Sequence, residues 1–342
     1  MAQKRVVVAG CGGISGAWFP PLIAENVEVA AAVDLNIETA KARLAKYPEL
    51  ANVEVSTDLK KTLKRCKPDF VLDLTIPEAH CAVTCTALRA GCHVIGEKPM
   101  AASMAQARKM VKTSEETGKM YMVSQSRRWD KFNDTVRLTV DSGELGVLNT
   151  VNCDFYLAPR FGGFRDEMDS PLILDMSIHH FDLIRFMSGK DALSVYAHEY
   201  NPKGSWYKGD VAASCIFEMG DGVMFNYRGS WCADGCGTSW HGDWRYIGEK
   251  GTLLYAVDQM PTGQVQDGAY QPEKWAQPLK DLPVTVSPMP FGGMHGGLRE
   301  MLAFLNDGVK PQTECHDNIK SLAMVFAAIE SAKKGRRVEV RV

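Results

Sequence analysis

Five short runs of β-branched and apolar residues punctuate the first 125 positions: RVVVAG (5–10), VEVAAAVD (27–34), DFVLDLT (69–75), CHVIGE (92–97) and KMYMVSQ (119–125). Helically spaced segments such as NIETAKARLAKY and SMAQARKMVKTSEETG lie between them. No other feature narrows the fold so far. A strand that is apolar at nearly every position has both faces buried, and a helix after each strand supplies the cover. Residues 1–125 are therefore predicted to form a doubly wound, parallel α/β sheet of the Rossmann type.

After residue 125 the pattern changes. A helix over DKFNDTVRLTVDSG, a strand over VLNTVNCDFYLAP and a helix over LILDMSIHHFDLIRFMSG are followed by the strands LSVYAHEYN, VAASCIFEM, VMFNYRGSW and DWRYIGEKGTLLYAV. Turns of the GDG and EKG type join these strands, which predicts antiparallel pairing. Residues 126–342 thus form an expected second, α+β domain, with 259–293 an excursion inside it. It closes with helices around 295–307 and 315–334 and a strand in RRVEVRV, and its C-terminal helix could pack back on the first domain. Two domains suit a length of 342 residues.

The formal net charge of −2 provides no field for nucleic acid or an anionic membrane surface. MAQKRVVVAG has too short an apolar run and no small-residue cleavage site for a signal peptide. No stretch approaches the roughly 18 apolar residues of a membrane span. Ten scattered cysteines read as reduced thiols of a cytoplasmic protein. Cys232, Cys236 and His241 lack the paired spacing of a metal site, so no metal is expected.

VVVAGCGGISGAW places Gly10, Gly12 and Gly13 directly after the first strand, with Ser15 where a third glycine would complete the dinucleotide fingerprint. Such a turn lets the backbone approach a pyrophosphate resting on a helix N-terminus, which Ile14 and Ser15 open here. Asp34 ends the second strand, 24 residues after Gly10, and its carboxylate suits ribose hydroxyls and repels a 2′-phosphate. NAD is expected as cofactor in preference to NADP. Pro20 and Pro21 are expected to cut the first helix to about two turns.

AGCGGIS, TIPEAH (75–80), GEKP (96–99) and DMSIHHFDL (175–183) together resemble the Gfo/Idh/MocA oxidoreductases, the family of glucose–fructose oxidoreductase and inositol dehydrogenases. The resemblance covers essentially the whole chain. It implies a Rossmann domain followed by a domain built on a large, open, mostly antiparallel sheet, with subunits packed sheet against sheet as homodimers or homotetramers, here through residues 192–256. It also implies that Lys98 lies beside the nicotinamide and the reacting hydroxyl, where its charge would offset a developing alkoxide. Glu97 would orient Lys98 or touch the nicotinamide. Thr75, Pro77 and His80 would line the cofactor, although a plain loop-to-helix start accounts for Pro77 and His80 as well. Ser126 stands where the family often has asparagine, which loosens any transfer of contacts to Arg127 and Arg128.

Asp175 and His179 are four residues apart and share a helix face, whereas His180 is rotated by about 100° and reads as a core or helix-surface residue. The family's D-x-x-x-H motif implies that His179 takes the hydroxyl proton while Asp175 holds the ring and the substrate. Arg160 lies in a loop that faces substrate in the family. Six of the seven tryptophans, at 129, 206, 231, 240, 244 and 275, suit sugar stacking or, more commonly, sheet faces and interfaces. The expected activity is NAD-dependent oxidation of a secondary alcohol on a sugar, inositol or related polyol. Its rivals are an enzyme that keeps NAD bound and oxidises a sugar transiently, for glycoside cleavage or sugar–sugar oxidoreduction, and a non-catalytic NAD- and sugar-binding regulator.

Overall fold

The structure, a computed structural model, describes residues 3–256 and 259–342. The chain divides into two compact units. One runs to Trp129 and adds Phe291–Leu322; the other comprises Asp130–Pro290 and Ala323–Arg341.

The first unit begins β1 (Arg5–Ala9), α1 (Ser15–Ala24), β2 (Glu28–Val33), α2 (Ile37–Leu44), β3 (Val55–Ser56) and α3 (Leu59–Cys66). It continues β4 (Phe70–Asp73), α4 (Pro77–Arg89), β5 (His93–Glu97), α5 (Met104–Thr117) and β6 (Tyr121–Ser124). The strands form a six-stranded sheet in the order β3-β2-β1-β4-β5-β6, every pair parallel. Val6–Val8, Phe70–Leu72 and Val94–Ile95 are 0 % exposed, as the unbroken apolar runs require. Asn36, Asp58 and Ser103 cap α2, α3 and α5 with side-chain oxygens. β3 was not expected, because a two-residue edge strand leaves no periodic signal.

The two prolines do not shorten α1 to about two turns: it spans ten residues and contains both. The Gly16 carbonyl, which the residue at 20 would serve four positions on, instead accepts from the Tyr47 hydroxyl at 3.1 Å. One orphaned acceptor is thus satisfied from α2's end of the unit, and the interior proline is tolerated.

The second unit contains α6 (Lys131–Asp141), β7 (Leu148–Tyr156), a π-helical turn (Leu172–Ser177), α7 (Ile178–Ser188), β8 (Ala192–Tyr200) and β9 (Ala212–Met219). After these come β10 (Met224–Ser230), β11 (Asp243–Gly248), β12 (Gly251–Tyr255), β13 (Thr262–Gln266) and β14 (Leu279–Asp281). The last elements of the chain are α8 (Gly293–Asp307), α9 (Cys315–Lys334) and β15 (Val338–Glu339). Nine strands form one sheet in the order β14-β13-β12-β11-β7-β10-β9-β8-β15. Only β7 and β10 pair in parallel. β13 and β14 lie in the stretch 259–293 expected as an excursion within the second domain. Val257, at the end of the expected last strand of the meander, lies outside the described residues. One sheet face is a packed aromatic layer: Phe217, Phe225, Tyr227 and Tyr246 are 0 % exposed, and Phe181 of α7 stands edge-on to Phe217 at 4.8 Å.

The expected boundary at 125/126 differs from the observed one in two respects. The first unit extends to Trp129, and it takes back 291–322. Trp129 Nε1 donates to Glu300 at 2.8 Å, and His295 and Arg299 of α8 bind Glu25 at the end of α1 at 2.6 and 3.0 Å. β6, the sheet's edge strand, is covered by the Val123 N–H bonded to the Thr313 carbonyl at 3.0 Å. Arg128 is 4 % exposed and pairs with Asp317 at 2.7 Å.

Candidate functional site

The expected site residues fall on both units, and each group is described within its own unit. In the first, β1 ends at Ala9 and Gly10 turns with φ +92°, a conformation that only glycine adopts without cost. A methyl group there would stand 2.6 Å from the Leu74 carbonyl oxygen. Around Gly12 and Gly13 there is open space: beyond the adjoining residues of the turn, no atom lies within 4 Å of where a Cβ would be. The N-cap of α1, Ile14, forms no side-chain cap hydrogen bond; the N–H groups of Gly16 and Ala17 bond the carbonyls of Gly13 and Ile14 at 3.3 and 2.9 Å, and the start of the helix carries no acidic side chain that would compete with an anion. Ser15 is buried and its hydroxyl donates to the Gly12 carbonyl at 2.7 Å, which tightens the turn.

Asp34 follows β2 directly. Its Oδ2 accepts from the Cys11 N–H at 2.7 Å and its Oδ1 from the Asn36 N–H at 2.8 Å. The carboxylate is therefore fixed beside the glycine turn before any ligand arrives. Sequence reading missed its companions, Leu35 and Ile76, which are 94 % and 65 % exposed. Two such apolar side chains at the carboxyl edge of a parallel sheet fit a planar heterocycle better than water. The periodicity gave no hint of them, because both lie in turns.

Pro77 is the first residue of α4. Asp73, 0 % exposed at the end of β4, accepts from the hydroxyls of Thr75 at 2.5 Å and Thr84 at 2.8 Å and lies 3.1 Å from His80 Nδ1. His80 is 1 % exposed. The Thr75 and Thr84 hydroxyls thus tie the β4–α4 turn to the buried aspartate, with His80 packed beside it.

Glu97 ends β5 and is buried. Its Oε1 accepts from Trp18 Nε1 of α1 at 2.8 Å, and its Oε2 from the Lys98 N–H at 3.2 Å. Burial pushes the Glu97 carboxyl above its ordinary pKa, against the opposing pull of the Trp18 bond and the Lys98 charge. Lys98, half-buried, follows at the strand end, and its bond to Pro99 is cis.

In the second unit Asp175 lies within the π-helical turn and His179 on the first turn of α7. The wide turn was invisible in the sequence, which reads as one continuous α-helix. Its widened backbone is braced by Ser177, whose hydroxyl reaches the Leu172 carbonyl at 3.1 Å and Tyr227 Oη at 3.0 Å. Single π turns inside helices recur at functional sites. His179 is 9 % exposed. Asp175 Oδ2 accepts from Arg165 Nε at 2.6 Å, a partner the sequence reading did not name. His180 is 0 % exposed and sits among Phe155 at 4.7 Å and Tyr227 at 5.5 Å, a core histidine.

Arg160 is held at both Nη atoms by Asp234, at 3.2 and 2.9 Å, and lies 4.1 Å over the Trp206 ring. The tryptophans divide by position. Trp129, Trp231 and Trp244 are buried, while Trp240 is 44 % exposed and 6.2 Å from the ring of Phe161. Among the described residues, three metal-type donors converge at Glu314, Cys315 and His316, not at Cys232, Cys236 and His241. Both nitrogens of His316 are engaged there by carboxylates, Glu314 at 2.7 Å and Glu115 at 2.9 Å.

Residues 4–125 match the family model described as an oxidoreductase family with an NAD-binding Rossmann fold. Residues 133–254 match the model of the GFO/IDH/MocA C-terminal domain. An uncharacterised protein, y4oX, of Sinorhizobium fredii is 27 % identical over 98 % of this chain and 96 % of its own. The D-apiose dehydrogenase of Paraburkholderia graminis is 26 % identical over 97 % of this chain and 88 % of its own. The same fold occurs in an oxidoreductase from Agrobacterium radiobacter solved with NAD+, L-tartaric acid and magnesium, with a TM-score of 0.83, 22 % identity and 99 % of each chain covered.

Proposed function

Because the chain belongs to the Gfo/Idh/MocA family of oxidoreductases, we propose that it is an NAD-dependent dehydrogenase oxidising a secondary alcohol of a sugar, inositol or related polyol. One observation carries the reading. The helix that opens the glycine turn and the strand end that presents Lys98 are tied together by the buried Trp18–Glu97 hydrogen bond, at the carboxyl edge where parallel sheets bind their ligands. A relative named as a D-apiose dehydrogenase supports the sugar class.

Bound NAD supplies the hydride acceptor. The open space at Gly12 and Gly13 would receive the pyrophosphate at the start of α1, and Asp34 would accept from the ribose hydroxyls. Leu35 and Ile76 would flank the adenine. Lys98 donates to the substrate oxygen as hydride leaves its carbon, offsetting the negative charge that builds there. His179 removes the hydroxyl proton and Asp175 holds the sugar. The molecule works as an assembly of identical subunits joined through the outward face of the nine-stranded sheet. On that face Tyr196 (48 % exposed) stands opposite Ile216 (47 %) in the β8–β9 register. Light scattering at micromolar concentration should give a multiple of the chain mass, and a monomer would refute the assembly.

The test of function is a screen of NAD reduction across monosaccharides, inositols, aminosugars and sugar acids, repeated with Lys98→Met. Turnover of at least one compound, lowered about 10²-fold or more in the variant with NAD affinity retained, is expected. Near-normal turnover by Lys98→Met would reduce this lysine to positioning the cofactor, and no reduction of NAD by any compound would refute the dehydrogenase.

A further inference from the structure

We propose that Arg165 recognises a carboxylate on the substrate, which makes the preferred substrate a polyhydroxy acid, of the aldonic or uronic class, rather than a neutral sugar. The inference rests on the reading of Asp175 as a sugar-binding residue.

Arg165 stands on the short 3-10 turn Gly163–Glu167. One edge of its guanidinium is fixed: Nε donates to Asp175 Oδ2 at 2.6 Å. The group is stacked on aromatic rings, with the guanidinium carbon 4.7 Å from the ring centroid of Phe164 and 5.1 Å from that of Phe161. Among the described residues Nη1 and Nη2 form no hydrogen bond or ion pair. The side chain remains 32 % exposed, so the outer edge opens to ligand. An arginine anchored at Nε and stacked on rings has already lost much of its rotamer freedom, and binding at its outer edge adds little further ordering cost. The two parallel N–H groups of that edge match the two oxygens of a carboxylate.

The neighbouring charges decide which anion fits. Arg160 is taken by both oxygens of Asp234, and Lys208 lies 3.5 Å from Glu167. The remaining acid of the turn, Asp166, has no ion-pair partner among the described residues, and its negative charge beside Arg165 disfavours a second charge on the ligand; the Lys208 N–H bonds its backbone carbonyl at 2.8 Å. One cationic edge is left, enough for a planar monoanion and too little for the dianion of a phosphate. Phe161 and Phe164, 47 % and 66 % exposed, add apolar ring surface beside it for the C–H face of a sugar. Since Asp175 touches Arg165 directly, one small molecule can reach both.

The experiment is titration calorimetry of the full chain, saturated with NAD, against matched pairs: D-gluconate and D-glucuronate with D-glucose, and D-galactonate with D-galactose. Glucose 6-phosphate is the phosphate arm. At least one acid should bind about tenfold or more tightly than its neutral partner, the worth of one charge-assisted bidentate pair. In Arg165→Gln the acid-to-neutral ratio should collapse toward one, and Arg165→Lys should keep part of it. Acids that bind no better than neutral sugars, a preference for the phosphate, or an unchanged ratio in Arg165→Gln would each overturn the proposal. The last would mean that Arg165 only holds Asp175. If acids show no advantage but a neutral sugar reduces NAD, this proposal falls and the dehydrogenase stands. If acids bind through Arg165 and neither the acids nor any neutral sugar reduces NAD, the recognition stands and the dehydrogenase falls.

Discussion

Replacing Gly10, and separately Gly12 or Gly13, by alanine should damage the protein in two different ways. At Gly10 the new methyl would lie 2.6 Å from the Leu74 oxygen, 2.7 Å from its carbonyl carbon and 2.9 Å from the Thr75 nitrogen. These are backbone atoms. The Leu74 N–H is bonded to the Ala9 carbonyl at 2.7 Å, so they cannot withdraw without parting β1 from β4. A left-handed φ at a residue with a Cβ costs about 1–2 kcal/mol, and forced overpacking about 1–3 kcal/mol more. The combined loss, about 2–5 kcal/mol, corresponds to a fall in Tm of roughly 5–15 °C for a domain of this size. At Gly12 or Gly13 nothing beyond the adjoining residues of the turn lies within 4 Å of the added methyl, and neither φ is in the left-handed region. Their alanine variants should melt within about 1 °C of the parent, surface substitutions of this kind being nearly neutral. The methyl would instead fill the space assigned to the pyrophosphate, weakening NAD binding by about tenfold or more, or ~1.4 kcal/mol. Thermal melts without cofactor, paired with NAD titrations, separate the two effects. A Gly10→Ala variant that melts with the parent, or a Gly12→Ala variant that binds NAD equally well, would refute the reasoning.

Three further outcomes are expected. Wild-type kcat/KM should favour NAD over NADP by about tenfold or more, and Asp34→Ser should narrow the gap, because the fixed carboxylate repels a 2′-phosphate; equal use of both cofactors would sink the assignment. His179→Ala should slow turnover and erase the acidic limb of the kcat/KM profile with NAD affinity intact, whereas an unchanged limb would move the proton acceptor elsewhere, with Lys98 the first suspect. Glu199 is pushed up to about 7 by burial first, with the Asp210 charge adding and the Ser170 bond opposing. The folded state therefore binds the proton more tightly than the unfolded chain. Stability should fall as pH rises from about 4.5, the ordinary value, to about 7 and stay lowered above it, by at most about 3 kcal/mol. Glu199→Gln should raise Tm at pH 8 and flatten that decline, and a variant with the parent's pH dependence would contradict the account.

What could be read from the sequence follows from where the signal is local. The strands β1, β2, β4, β5 and β6 announce themselves because burial on both faces forces an apolar residue at each position, and the glycine turn because strand, glycines and Asp34 stand in fixed order. β3 and β14 are edge strands of two and three residues, and β13, one strand in, has Val265 as its one buried residue, so nothing in their composition sets them apart. The π turn at Leu172–Ser177 depends on Ser177 meeting Tyr227, 50 positions away, a contact no window detects. Arg165 was missed for the same reason: its meaning lies in reaching Asp175, while the arginine that was named, Arg160, is occupied by Asp234. The prolines of α1 misled because their lost donor is replaced by Tyr47, whose role is tertiary.

The return of residues 291–322 to the first unit also sets a schedule for a chain made from its N-terminus. When the ribosome has delivered β6, the sheet still ends in an open edge, and Arg128 has no Asp317 to meet. Both wait for about 190 further residues, on the order of ten to forty seconds at ordinary elongation rates. Until then the nascent sheet presents unpaired strand N–H and carbonyl groups to its surroundings, the template on which chains pair with one another. A gene fragment cut at the sequence-level boundary would be held permanently in that state, and shortening the interval by circular permutation, with α8 placed directly after β6, is the arrangement that would relieve it.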